Sequence, residues 1–258
     1  VARGLVAAAV LAGAPAAAGT FAPPEGCTGF LTVQSKGCIL SNHYRCAGDP
    51  PGDQWRVDFG AQGPFFASRT DREAQWVFSV ELATGARQWL QPDPADPASL
   101  SGLLATGEDT FEFRLRHAGR DGAGTEGAAG GETVVRGRDR LTGRRVVIDG
   151  VPLRQTVFDY RETAADGSLR TRARGHEFVH EKWRLFLSGP SEWEVDGAMV
   201  PVDHSPVAFI LPGEPGFFAT EPQYQCDMLM SRAAPAAPSA TPAASAAPAP
   251  VEEQADDL

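Results

Sequence analysis

The sequence predicts a mainly β fold: a single antiparallel meander, either an open, strongly curved sheet or a barrel-like one, stapled by disulfides. Three observations predict it. X-Gly turn signals (Lys36-Gly37, Thr84-Gly85, Thr142-Gly143, Asp149-Gly150, Asp166-Gly167, Asp196-Gly197) separate short runs rich in Val, Phe, Trp, Thr and Arg. Asp-Gly suits the tight type I′ hairpin, in which both central residues take positive φ. The segment after Gly167 alternates apolar and basic residues with the period of a strand, and its helical periodicity is poorer.

Residues 1–18 read as a signal peptide. Arg3 precedes an apolar run from Gly4 to Ala12, Pro15 breaks it, and Ala16-Ala17-Ala18 supplies an A-x-A cleavage site. That run is shorter than the roughly 20 residues needed to span a bilayer. Gly19 stands where a lipid-anchored protein carries cysteine. The expected location is therefore periplasmic or secreted, after cleavage near Ala18.

Export accounts for the cysteines. Cys27, Cys38, Cys46 and Cys226 are an even set without the paired C-x-x-C spacing of a zinc site, as expected where disulfides persist. Four cysteines allow three pairings. A two-residue turn at Lys36-Gly37 would set Cys27 opposite Cys46 and leave Cys38 for Cys226. That register makes Cys27 and Cys46 a hydrogen-bonded pair, whose side chains diverge more, so the pairing stays open.

The remainder divides into a β-rich domain over residues 19–231, a flexible Gly-rich loop at 120–131 inside it, and an Ala/Pro-rich acidic tail over 232–258. The tail has too little apolar surface to offset the entropy of ordering itself and is expected to be disordered. The formal charge of −10 argues against nucleic-acid binding. The charge is uneven, however: from Glu132 to Phe186 there are twelve Lys/Arg against eight Asp/Glu.

The Asp166-Gly167 hairpin makes a register prediction. A two-residue loop pairs Phe158 with Gly175 and Tyr160 with Ala173, so each aromatic ring covers a small residue. Asp159 then meets Arg174, an opposite-charge pair, while Arg161 facing Arg172 is the one mismatch. Odd positions from Leu169 to Leu187 are largely apolar and even positions largely basic, as in a half-buried strand.

Within that strand His176-Glu177-Phe178-Val179-His180 spells H-E-x-x-H. On a helix, histidines four apart share one face and one zinc, and the Glu serves as general base. The five residues resemble the zincin metalloproteases, which implies zinc at His176 and His180 with Glu177 as base. The flanks depart from that pattern: Arg174 precedes the motif and Glu181-Lys182 follow it. On a strand, His176 and His180 lie about 13 Å apart and Glu177 points to the other face, so the motif is read as a decoy. No G-x-S-x-G elbow or Gly-rich nucleotide loop offers other chemistry. The chain is read as non-enzymatic, with no cofactor and no metal.

Five Trp and fourteen Phe are a heavy aromatic load. They fill a core, or they line a cavity or concave sheet face that accepts an apolar molecule. A secretory signal followed by a long meander with an aromatic interior resembles the layout of lipocalins and periplasmic lipoprotein carriers, which implies carriage of a lipid-like molecule. The lipocalin G-x-W is not met, since Gly52-Asp53-Gln54-Trp55 has one residue too many. The expectation is an envelope protein that binds a hydrophobic or amphiphilic anion through Phe158, Tyr160 and Trp183, with Arg170, Arg172, Arg174 and Arg184 at a polar rim. The alternatives are a periplasmic interaction or scaffold module that docks an acidic protein on its basic face, and the zinc hydrolase.

Overall fold

In the computed structural model, residues 19–119 and 131–227 are described. The expected signal peptide, the core of the Gly-rich loop and the acidic tail lie outside them. Thirteen strands form a single antiparallel sheet: β1 (Cys27–Ser35), β2 (Ile39–Cys46), β3 (Gln54–Gly60), β4 (Gly63–Thr70), β5 (Trp76–Glu81), β6 (Arg87–Leu90), β7 (Glu108–Ala118), β8 (Gly131–Ile148), β9 (Val151–Ala164), β10 (Leu169–His180), β11 (Leu185–Val195), β12 (Ala198–Asp203) and β13 (Pro206–Ile210). Each strand pairs with its neighbours in sequence, except that β13 returns to pair with β1. The order makes β12 and β13 the two edges, although only His204 and Ser205 separate them in the chain. Lys36 closes the ends toward each other: its Nζ lies 2.7 Å from Asp203 Oδ2 and its amide donates to the Ser205 carbonyl. The sheet is thus curled until its edges meet, with no ladder between β12 and β13 among the described residues.

The tight turns follow from their residues. Asp149-Gly150 and Asp196-Gly197 have positive φ at both positions and join directly paired strand ends, the two-residue I′ geometry. Three expectations need correction. The loop after β1 holds three residues, Lys36 to Cys38, because Ser35 pairs with Ile39; a bulge between Gly29 and Leu31 then restores Cys27 opposite Cys46. The β9–β10 loop is likewise one residue longer than expected, since Ala164 donates to the Ser168 carbonyl, and a bulge between Leu169 and Thr171 restores the expected register. Thr142-Gly143 is not a turn at all. It forms an irregularity inside the continuous strand β8, where the register shifts between Leu141 and Arg145.

A short helix, α1 (Leu100–Thr106), interrupts the meander and was not expected. The Ser99 hydroxyl caps it by accepting from the Gly102 amide, and Gly107 ends it in the left-handed conformation. Leu100 and Leu103 pack on Val179, with Leu141 and Phe186 alongside.

Cys27 is bonded to Cys46 across β1 and β2, and Cys38 to Cys226, 188 residues away. The second bond anchors the segment 217–226 over one face of β1–β4. Beneath that segment Phe218 and Ala219 join Leu40, Tyr44, Val57 and Phe59 in one buried cluster. A buried polar network fixes it there: Asn42 Nδ2 donates to the Ala219 carbonyl, the Phe218 amide to Thr32 Oγ1, and Thr32 Oγ1 to Asn42 Oδ1. With each member satisfied, the network holds that segment in a single register.

The opposite face of β1 carries Leu31 and Val33. They pack with Phe209 of β13 against Leu153, Phe178, Leu185 and Leu187 of β9–β11. The sheet is rolled so that β1 and β13 cover one end of the β9–β11 face. Val179 and Phe186, on the other face of the same strands, meet α1. A bulge in β11 re-aims the far half of that strand: His176 opposes two residues, Gly189 and Pro190, as the register shifts between Gly175 and Glu177. A side chain at Gly189 would strike the His176 carbonyl, at 2.5 Å from a Cβ. The shift puts Leu185, Leu187, Glu192 and Glu194 on one face. That face is apolar and covered at one end, charged and open at the other.

Candidate amphiphilic groove

Beyond the reach of β1 and β13, this face of β8–β12 is uncovered. Two adjoining hollows of about 700 and 560 Å³ lie on it, and Arg174 lines both. Alternation directs Arg136 and Arg138 of β8, Asp159 and Arg161 of β9, and Arg172, Arg174 and His176 of β10 to this face. The smaller hollow is cationic: Arg136 pairs across to Arg161, and Arg161 to Arg172, so three guanidinium groups stand in register on adjacent strands. The larger hollow is lined by Val157, Pro190 and Pro201 together with Arg174, Glu192, His176 and Asp203. Met199 closes the cationic hollow on the β12 side. One groove therefore joins an apolar half to an arginine half.

The outer arginines are paired. Arg136 Nη2 lies 2.6 Å from Glu112, Arg172 Nε 2.5 Å from Glu194, and Arg174 Nη2 2.8 Å from Glu192. The hydrogen bond from Arg136 holds the Glu112 carboxyl below the usual carboxylate range. Arg174 keeps 68% of its side-chain surface and Arg136 keeps 56%, so these are solvent-screened pairs with donors to spare.

The expected ligand residues divide. Phe158, Tyr160, Arg172 and Arg174 all line the two hollows. Alternation nevertheless sends the rings of Phe158 and Tyr160 to the opposite face, so these two lend the groove chain rather than ring. The Tyr160 hydroxyl donates to Glu162 Oε2 at 2.8 Å, and burial and then the Glu162 charge raise its pKa. Although burial opposes it, hydrogen bonds from His117, Thr133 and Tyr160 keep Glu162 ionised below its ordinary range. Trp183 lies elsewhere, in the β10–β11 turn, with its ring on His180 and Phe209. Arg184 in that turn clamps α1 and the β4–β5 connection through Glu73, Ser101 and the Arg72 carbonyl. Arg170 is exposed beside the β9–β10 loop. The apolar side chains of the groove, Val157, Pro190, Met199 and Pro201, were missed. The Arg161–Arg172 mismatch, with Arg174 beside it, was the visible sign of its cationic half.

His176 to His180 lie in β10, so the helix that H-E-x-x-H chemistry requires is not there. His176 Nδ1 contacts the Thr156 carbonyl at 3.1 Å, and His180 Nδ1 accepts from the Trp183 amide. Burial and then Lys182 depress the proton affinity of His180. Among the described residues no group of three His, Cys, Asp or Glu is placed to hold a metal ion.

Glu177 faces the other way, into the roll, directly across from Thr156 and two strands from Asp139. Burial, then Asp109 and Asp159, push the Asp139 carboxyl up to about 7. Burial, then Asp139, push Glu177 up to about 8, against the pull of Arg56. Asp139 Oδ1 and Thr156 Oγ1 have no partner. Nearby His43 is held neutral by burial and by Arg56 and Arg45, with its pKa down at about 3.

The arrangement defines a curled β-sheet protein with an open groove, apolar at one half and cationic at the other. No family model, no curated protein and no solved structure matches this chain. No helix among the described residues is long and apolar enough to cross a membrane.

Proposed function

We propose that this is an exported, non-enzymatic envelope protein that binds an amphiphilic anion in the groove of β8–β12. The observation that carries the reading is the sharing of Arg174 by an apolar hollow and a cationic one. An acyl or comparable apolar chain would lie against Val157, Pro190 and Pro201, and its anionic end would reach the arginines. Concave, mostly apolar sites with a few placed polar groups are the usual form of small-molecule sites. Two disulfides suit an oxidising compartment, in keeping with a periplasmic or secreted location.

Native mass spectrometry of the gently purified chain tests this. The expected spectrum carries an adduct that organic extraction removes and that mixed fatty acids restore. A bare mass that fatty acids leave unchanged, or a stoichiometric acidic protein partner in place of the adduct, would end the proposal.

A further inference from the structure

The reading of the groove as an amphiphile site leaves the head group undefined, and its charges narrow it. Four arginines and one aspartate line the cationic hollow. Arg136 is paired with Glu112, Arg172 with Glu194, Arg174 with Glu192, and Asp159 with Arg138. Of the four arginines that line the hollow, Arg161 alone has no carboxylate among the described residues in salt-bridge range. It is exposed, and it stands directly between Arg136 and Arg172 on the neighbouring strands. Like charges directly opposite each other across a sheet are destabilising, so this row is under a repulsion that an anion would lift.

We infer that the groove selects a singly charged head group, such as a carboxylate, and that Arg161 is the residue that meets it. The inference rests on the amphiphile reading above. A planar guanidinium offers parallel N–H donors to a carboxylate. The paired arginines on either side have donors left over for hydrogen bonds, but their charge is already matched. A dianionic phosphomonoester would bring a second negative charge beside Glu192, Glu194 and Asp159, and the lining of the cationic hollow offers no second unpaired arginine to meet it. Arg140, also without a carboxylate partner among the described residues, lies further along β8 opposite Val157.

The full chain, titrated calorimetrically below the micellar range at about pH 7.5, separates these outcomes. The ligands are decanoate, decyl phosphate (mostly dianionic there, its second pKa being about 6) and uncharged decyl glucoside. Decanoate is expected to bind at least threefold tighter than decyl phosphate. Arg161→Gln is expected to weaken decanoate about tenfold and leave the glucoside unchanged. Glu194→Gln, which frees Arg172, is expected to bring decyl phosphate level with decanoate. Decyl phosphate binding as tightly as decanoate in the parent chain would overturn the charge selection while leaving the groove reading intact. Decanoate affinity unmoved by Arg161→Gln would overturn the role of Arg161. No binding of any of the three would remove the groove reading itself, and this inference with it.

Discussion

Replacing Cys38 and Cys226 by serine is expected to cost about 5 kcal/mol of stability in the chain-entropy limit, because the bond closes a loop of 188 residues. At about 2–4 °C per kcal/mol for a domain of this size, thermal unfolding should begin some 10–20 °C lower. Serine in place of Cys27 and Cys46, 19 residues apart, is expected to cost about 3 kcal/mol. The difference has a structural cause beyond loop length. β1 and β2 are already zipped by their ladder, whereas the segment 217–226 belongs to no strand. Without its covalent tie the N-terminal part of that segment keeps its Phe218 and Ala219 packing and the Asn42–Thr32 network, but the part beyond Thr220 rests on hydrogen bonds such as Cys38 N to the Tyr224 carbonyl and Gln223 N to Gln34 Oε1. Release of the whole segment would uncover Leu40, Tyr44 and Phe59. Scanning calorimetry of both double variants checks the ranking. Equal losses from the two, or the larger loss from Cys27 and Cys46, would contradict it.

The second large effect is a fall in stability on the alkaline side. Asp139 and Glu177 titrate near 7 and 8 in the folded chain, against ordinary values of 3.8 and 4.5. A folded pKa above the unfolded one means that the folded state holds the proton more tightly. Stability from these two groups is therefore complete below about pH 4 and is lost as pH rises through 7 to 8. His43 works in the opposite sense: its folded pKa near 3 lies below the ordinary 6.5, so stability is lost as pH falls through that interval. From about pH 4.5 to 6.5 the two carboxyls lose stability faster than the single imidazole gains it, so these three groups together place the maximum near pH 4. A tenfold change in proton affinity corresponds to about 1.4 kcal/mol, which bounds the loss per carboxyl at roughly 4–5 kcal/mol. Relaxation and water entry reduce it, so Glu177→Gln is expected to gain about 2 kcal/mol at pH 8.5 and close to nothing at pH 5. Melting curves of the parent and the variant that run parallel from pH 5 to 8.5 would contradict buried, protonated carboxyls.

Much of the sheet was legible in the residues. Phe158 over Gly175 and Tyr160 over Ala173 set the β9–β10 register correctly, because cross-strand size complementarity fixes pairing more firmly than loop length does. The loop itself was misjudged: the bulge at Arg170 absorbs one residue and leaves the pairing unchanged. Thr142-Gly143 misled for a related reason, since a glycine with positive φ serves a bulge as well as a turn. The capped helix at Leu100 spans seven residues, too few to show a periodicity. The groove was only half visible. Its arginines follow from alternation, but its apolar wall depends on how the sheet rolls, which brings β1 and β13 over one end of β9–β11 and leaves the other open. No local pattern encodes that contact. Phe158, Tyr160 and Trp183 looked like the apolar wall because they are large, whereas the fold uses them inside.

The most direct measurement is a nuclear magnetic resonance titration that follows backbone amides and arginine Nε–Hε groups as decanoate is added. Occupancy of the groove should move the Nε–Hε signals of Arg161, Arg172 and Arg174, together with amides over 157–161, 172–176 and 199–203. The signals of Trp183 and Arg184 should stay still. Saturable shifts centred on Trp183 and Arg184, with the Arg161 signal unmoved, would place the ligand elsewhere and contradict the account.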